Sequence, residues 1–140
     1  MLPLKLVVDT NVIVSGALKP RRLERAALIF AVTRPARLFV SPDILAEYEE
    51  VLRRPDLRIP DQERRDLLVL LAAHSRQVVP LSRISACSDP DDNIFLEGAD
   101  AAGADYLVTG NKRHFPAYWK QTKVVNCREL MEIIAPHLRP

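Results

Sequence analysis

The sequence predicts an α/β fold: a three-layer α/β/α sandwich with a central parallel sheet. Three observations point to it. Short apolar, β-branched runs recur along the 140 residues, and they are continuously apolar, as strands buried on both faces are. Segments of helical periodicity separate these runs, which is the arrangement of a parallel sheet covered on both sides. Start and stop signals for helices sit where the periodicity begins and ends.

Leu4 to Val8 reads as the first strand, ended by Asp9-Thr10-Asn11, with a loop after it. Residues 21–33 read as a helix with Leu23, Ala26, Ala27 and Phe30 on one face. Leu38 to Val40 is a second strand. Ser41 then stands as an N-cap, with Pro42 at the first helical position, where its missing N–H costs nothing. Ile44, Leu45, Tyr48, Val51 and Leu52 form the stripe of that helix, and Pro55 stops it. A further helix spans Asp61 to His74, and Val78-Val79 suggest a third strand. Asp89 caps the next helix, with Pro90 in its first turn and Gly103 as its stop. Tyr106 to Thr109 and Lys123 to Val125 are the remaining strands. Asn126 with Glu129 three residues on is a capping box for the last helix.

Hydrophobic residues make up 48% and charged residues 27%, which places the chain among soluble globular proteins and excludes disordered and collagen-like ones. The length fits one domain over residues 1–140. No apolar run approaches the roughly 20 residues of a membrane helix. Lys5, Asp9 and Asn11 interrupt the first apolar run, so neither a secretory signal nor membrane association is expected, and a cytoplasmic location is. The net charge of +2, from 20 Lys plus Arg against 18 Asp plus Glu, neither announces nor forbids a nucleic-acid partner. Cys87 and Cys127 are too few and too far apart for a disulfide framework or a zinc site, and read as reduced thiols.

Ligands of such sheets sit beyond the carboxyl ends of the strands. There the sequence gathers Asp9 and Asn11, then Asp43 and Glu47, then Asp89, Asp91 and Asp92, then Thr109, Gly110 and Asn111. Each acid alone has an ordinary structural explanation. Asp9 fits an Asx turn, and Asp89 and Asp92 fit the first turn of a helix, where acids meet the positive end of the dipole. Glu47 lies about 100° from the centre of its helix's apolar stripe, Glu49 is its counterpart on the other side, and Glu50 faces solvent. Periodicity does not choose between Glu47 and Glu49. Together, several carboxylates at one sheet end would repel one another and some would stay protonated. A divalent cation removes that conflict, and oxygen-only ligands suit Mg²⁺ or Mn²⁺ rather than zinc. The chemistry that follows is phosphodiester hydrolysis. His74, His114 and His137 carry no motif, no nucleophilic triad competes, and four glycines form no phosphate loop.

Four segments taken together resemble the PIN-domain ribonucleases: Leu6-Val7-Val8-Asp9-Thr10-Asn11-Val12, Ile44-Leu45-Ala46-Glu47-Tyr48, Asp89-Pro90-Asp91-Asp92-Asn93 and Tyr106-Leu107-Val108-Thr109-Gly110-Asn111. The chain is most similar to the small stand-alone bacterial members classed as toxins of toxin–antitoxin pairs. The resemblance implies a PIN-like sandwich and a Mg²⁺- or Mn²⁺-dependent endoribonuclease. It assigns Asp9, Glu47 and Asp92 as the catalytic and metal-site acids, with Asp89 as an auxiliary acid, and so selects Glu47 over Glu49. Asn11 and Thr109 take the place of polar residues that orient the acids. The family often carries a further acid where this chain has Asn111, an amide that can still hold a metal-bound water but adds no negative charge. The resemblance also implies an RNA substrate, a cognate antitoxin protein and a homodimer.

Basic residues near this sheet end are the expected RNA contacts, since they neutralise phosphates without reading sequence. They are Lys112, Arg113 and His114 after Asn111, and Lys19, Arg21, Arg22 and Arg25 after the first loop. Tyr118 and Trp119 suit either base stacking or the anchoring of a loop. Two other readings stand beside the nuclease. One is an inactive PIN-like module that binds RNA or a partner. The other is a haloacid-dehalogenase-like phosphatase, which needs a second Asp where this chain has Asn11.

Overall fold

A computed structural model describes residues 4–19 and 21–137. The strands are β1 (Lys5–Val8), β2 (Arg37–Val40), β3 (Ser75–Gln77), β4 (Tyr106–Val108), β5 (Tyr118–Trp119) and β6 (Thr122–Val125). The α-helices are α1 (Thr10–Leu18), α2 (Leu23–Ala31), α3 (Pro42–Leu52), α4 (Asp61–Ala73), α5 (Asn93–Ala102) and α6 (Cys127–Ile134). The strands form one sheet in the order β3-β2-β1-β4-β6-β5. All neighbours are parallel except β5, which pairs antiparallel with β6. α5 lies against β1, β2 and β4 and packs on α3, while α2 packs on α1 and α6. The helices flank the sheet as the α/β sandwich requires.

The central strands are buried along their apolar stretches, beyond Lys5 and Arg37 at their starts. Leu6, Val7, Val8, Leu38, Val40, Leu107 and Val108 are all essentially inaccessible to solvent. Burying a side chain of this size is worth about 1.5–3 kcal/mol, so register is strongly held wherever both faces are covered. The predicted caps form. The Ser41 hydroxyl accepts from the Ile44 N–H at 3.1 Å, and Asn126 and Glu129 exchange hydrogen bonds at 2.8 and 2.9 Å. Gly103 ends α5 with φ +61°, the left-handed region that a side chain resists.

Two expectations are corrected. Residues 10–18 are not a loop but α1. The β-branched Thr10, Val12 and Ile13 form poor helix individually, yet they are buried with Gly16 along one side, and packing overrides propensity. Gly16 makes that packing possible: a Cβ there would stand 3.2 Å from Leu28 Cδ2 and 3.3 Å from the Glu24 carbonyl oxygen. The third strand lies at Ser75–Gln77, before Val78-Val79. It is an edge strand, where backbone pairing to β2 suffices without an apolar run, and Val79 is left exposed. The predicted central parallel sheet is present, and it gains one antiparallel edge strand where Tyr118-Trp119 turn back on β6 through Lys120, which takes φ +52°. Trp119 anchors this hairpin by donating to Asp100 Oδ1 at 3.1 Å. In addition, Asp89 caps a short 3₁₀ turn, Pro90–Asp92, that runs directly into α5.

Candidate functional site

The carboxyl ends of β1 and β4 are neighbours in the sheet, with Val8 opposite Val108. Asp9 and Thr109 therefore emerge side by side. The Thr109 hydroxyl donates to Asp9 Oδ2 at 2.7 Å and accepts from the Asn111 N–H at 3.0 Å. One side chain thus fixes both the first acid and the turn that carries Asn111. Asn11 clasps the same turn, its Oδ1 accepting from the Gly110 N–H at 3.2 Å. The end of β1 is held from below by Tyr48, fully buried in α3, whose hydroxyl donates to the Val8 carbonyl.

Glu47 comes to this corner through α1. The Thr10 hydroxyl donates to Glu47 Oε2 at 2.6 Å. Glu49 instead pairs with Arg53 on the exposed side of α3, and Glu50 sits near Arg54 at 3.8 Å. The structure thus separates two glutamates that helical periodicity left equivalent. Asp92, at the end of the 3₁₀ turn before α5, faces His114, with 3.2 Å between Oδ2 and Nδ1.

The acids act on one another. Burial pushes the Asp9 carboxyl up to about 6, and the charges of Asp92 and Glu47 add to the rise, against the lowering effect of the Thr109 hydrogen bond. Burial also raises Asp92, with Asp89 and Glu47 contributing in the same sense while His114 opposes them. The neighbouring Cys87 thiol is pushed up to about 12 by burial and then by Asp92, Asp9 and Asp89, so it stays protonated and is a poor nucleophile. Both cysteines are free, as expected. Among the described residues, the group whose possible ligand atoms all lie within 4.8 Å of one another is Asp89, Asp92 and His114. Asp9, Glu47 and Asp92 feel one another's charge but span more than that distance. Two oxygens bound directly to one Mg²⁺ lie at most about 4 Å apart, so acids at this spacing would share the ion partly through its waters.

A PIN domain model matches residues 5–113. The chain belongs to the PIN-domain family. An uncharacterized protein of Methanocaldococcus jannaschii is 32% identical over 112 residues, 78% of this chain and 72% of that one. In fold the chain is similar to a chain in the crystal structure of VapBC2 from Rickettsia felis bound to a DNA fragment from their promoter. The TM-score is 0.57 at 14% identity, covering 88% of this chain and 98% of that one.

The remaining predicted residues of this PIN domain scatter around the cup. Asn111 is exposed at its rim. Lys112, expected to meet RNA, is paired with Glu129 at 2.8 Å, so part of its charge is already matched. Arg113 and Arg22 are exposed. Arg25 is taken up structurally, donating to the Gly16 and Ala17 carbonyls at the end of α1. His114, read from the sequence as one of a basic trio, turns to Asp92 instead. No sequence signal marked that contact, because it joins residues 22 apart across α5 and β4. Tyr48 and Thr10 were equally hidden. One looked like core and the other like a strand terminator, and their polar roles depend on α1 and α3 meeting over the end of β1. Among the described residues no helix is long and apolar enough to cross a membrane.

Proposed function

We propose that this PIN domain is a divalent-metal-dependent endoribonuclease. The observation that supports it best is the buried Asp9, driven to about 6 in a cup where acids from positions 9, 47 and 92 oppose one another. A carboxyl so placed holds its proton up to about pH 6 unless a cation enters, and a cation would relieve the burial penalty and the repulsion together. The donors fit a hard ion: carboxylate oxygens of Asp9, Glu47 and Asp92, with Asp89 and the Asn111 amide near by. These residues would hold Mg²⁺ or Mn²⁺, which supplies the Lewis acidity for hydrolysing a phosphodiester.

The chain's own part is preorganisation. Thr109 fixes the Asp9 rotamer, Thr10 fixes Glu47, and His114 steadies Asp92. Asp89 is exposed and Glu47 and Asp92 are half-buried, so an extended strand could reach these acids without unfolding of the protein. Arg22, Arg113 and Lys112 are the basic residues that would bind phosphates. The resemblance of its motifs to small bacterial toxins and the fold it shares with the VapBC2 chain support a further reading. In it the domain is a cytoplasmic toxin component, held in check by an antitoxin.

The deciding experiment is cleavage of an unstructured RNA by the purified protein with Mg²⁺ or Mn²⁺, beside Asp9→Asn. Cleavage that needs the metal and vanishes in the variant supports the nuclease. No cleavage with either ion, or cleavage surviving the substitution, leaves an RNA- or partner-binding module as the better account.

A further inference from the structure

Beside the acidic cup runs a groove of about 670 Å³, lined among others by Asn11, Arg21, Arg22, Asn111, Asn126 and Arg128. That volume suits a nucleotide-sized segment. Asp9, Glu47, Asp89 and Asp92 do not line it, and Glu24 is the acid that does. The two sites share a wall. Asn11 and Asn111 belong to the turns that leave β1 and β4, and the Asn11–Gly110 hydrogen bond clasps those turns together. Asn11 and Asn111 line the groove, and each stands two residues beyond a residue of the acidic corner, Asp9 and Thr109.

The groove's three arginines come from two places in the chain. Arg21 and Arg22 precede α2, and Arg128 lies in the first turn of α6. All three are exposed, and among the described residues none forms a salt bridge or side-chain hydrogen bond. This contrasts with Lys112 and Arg25, whose donors are already engaged. Three like charges around one concavity, opposed by Glu24 alone, favour an anion between them. The guanidinium fork matches phosphate geometry. α2 also opens on the groove without a side-chain cap, which adds free N–H groups to the anionic preference. The amides of Asn11, Asn111 and Asn126 offer donors and acceptors to sugars and bases.

We propose that this groove carries the phosphate backbone of the RNA strand flanking the scissile bond, with Arg21, Arg22 and Arg128 as its contacts. The proposal rests on the nuclease reading of the cup. In a chain of net charge only +2, the strand would meet three arginines on a lining from which Asp9, Glu47, Asp89 and Asp92 are absent.

The test measures binding of a fluorescent single-stranded oligouridylate in the Asp9→Asn background, as a function of salt. Adding Arg21→Ala, Arg22→Ala and Arg128→Ala is expected to weaken binding at least about tenfold at low salt. It should also flatten the slope of log K against log[salt] by about 2, three contacts at roughly 0.7 each. In the otherwise wild-type enzyme the same triple change raises KM and leaves kcat within about twofold. Arg65→Ala, Arg76→Ala and Arg83→Ala together, an equal charge change elsewhere, should leave the slope nearly as it was. An unchanged slope in the groove variant, or a fall in kcat at constant KM, overturns the groove while leaving the nuclease standing. RNA binding that depends on the three arginines in a protein that cleaves nothing keeps the groove and removes the nuclease. No RNA binding by the parent removes both. Displacement of the RNA by polyglutamate at equal charge reassigns the groove to an acidic protein segment and overturns the proposal.

Discussion

Asp9 and Glu97 are buried to the same degree, 5% and 6% exposed, yet they do opposite things. Glu97, inside α5, accepts the Ile84 N–H at 3.0 Å and ties the loop before Cys87 to the helix. It is one carboxylate with one backbone donor. Asp9 is also hydrogen-bonded, but it faces Asp92 and Glu47, and its proton affinity rises well above that of an ordinary carboxylate. Burial of an acid therefore does not mark a site. Burial among other acids does, because only there does the fold leave an electrostatic conflict that a ligand could relieve.

The largest expected effect breaks this comparison if it fails. Asp9→Asn should lower RNA cleavage by on the order of 10²–10³, the size of loss seen when one electrostatic stabiliser is removed, and leave the protein folded. Glu97→Met should do the reverse. It strands the buried Ile84 N–H, costs about 1–3 kcal/mol of stability and leaves kcat near wild type in the folded fraction. Denaturant melts and initial rates on both variants decide it. Equal losses of activity would make Glu97 part of the site.

The next effect is on stability against pH in chelator. An acid whose pKa is raised from 3.8 to about 6 on folding binds its proton more tightly in the folded chain. Its contribution is fully present below pH 3.8 and is lost as pH rises through about 6. The loss amounts to about 3 kcal/mol, at 1.36 kcal/mol per unit. Asp9→Asn should therefore be more stable than the wild type at pH 8, with the difference fading towards pH 4. Mn²⁺ should restore much of the wild type's deficit by binding only the folded state. A variant no more stable than wild type at pH 8 would mean that Asp9 carries no such burden.

The legible part of the molecule was the part where local chemistry and global position coincide. β1, β2, β4 and β6 are apolar because they are central, and the caps at Ser41, Gly103 and Asn126 are local devices. Asp9, Glu47 and Asp92 could be nominated because strand ends gather ligands, but only the family resemblance chose Glu47 over Glu49. The structure supplies the physical difference: Thr10 on one side and Arg53 on the other. Elements held by tertiary contacts alone left no trace in the periodicity. α1 is β-branched and helical only because it is packed. β3 and β5 are short edge strands, and β5 is joined to β6 by Lys120-Gln121 rather than by the Asn-Gly that marks a tight hairpin. His114 reached Asp92 from a run that looked simply basic.

Thr109 offers a smaller effect that sharpens the role of preorganisation. Thr109→Val keeps the shape of a fully buried residue and removes both the donor to Asp9 and the acceptor for the Asn111 N–H. Losing a group that orients a ligand typically costs 10–100-fold in metal affinity or activity. The expected signature is a rightward shift in the Mn²⁺ dependence of cleavage, together with a rise in the Asp9 pKa in carboxyl titrations by NMR. A Thr109→Ser variant should recover both. If Thr109→Val loses stability alone, the threonine is a core residue and the cup organises itself without it.

The smallest effect concerns Asn111, which stands where the cup meets the arginine groove. Asn111→Asp adds one negative charge at the seam. Towards the cup it should tighten Mn²⁺ binding, and towards the groove it should loosen RNA binding. Each change should be less than about tenfold, since an exposed charge pair near 4 Å is worth only about 1 kcal/mol in water. Calorimetric titration with Mn²⁺ and RNA anisotropy in the Asp9→Asn background separate the two. Tighter metal with unchanged RNA would place Asn111 wholly in the cup. Weaker RNA with unchanged metal would place it wholly in the groove, and the amide would then be the residue that lets a strand pass from arginines to acids without meeting a fifth carboxylate.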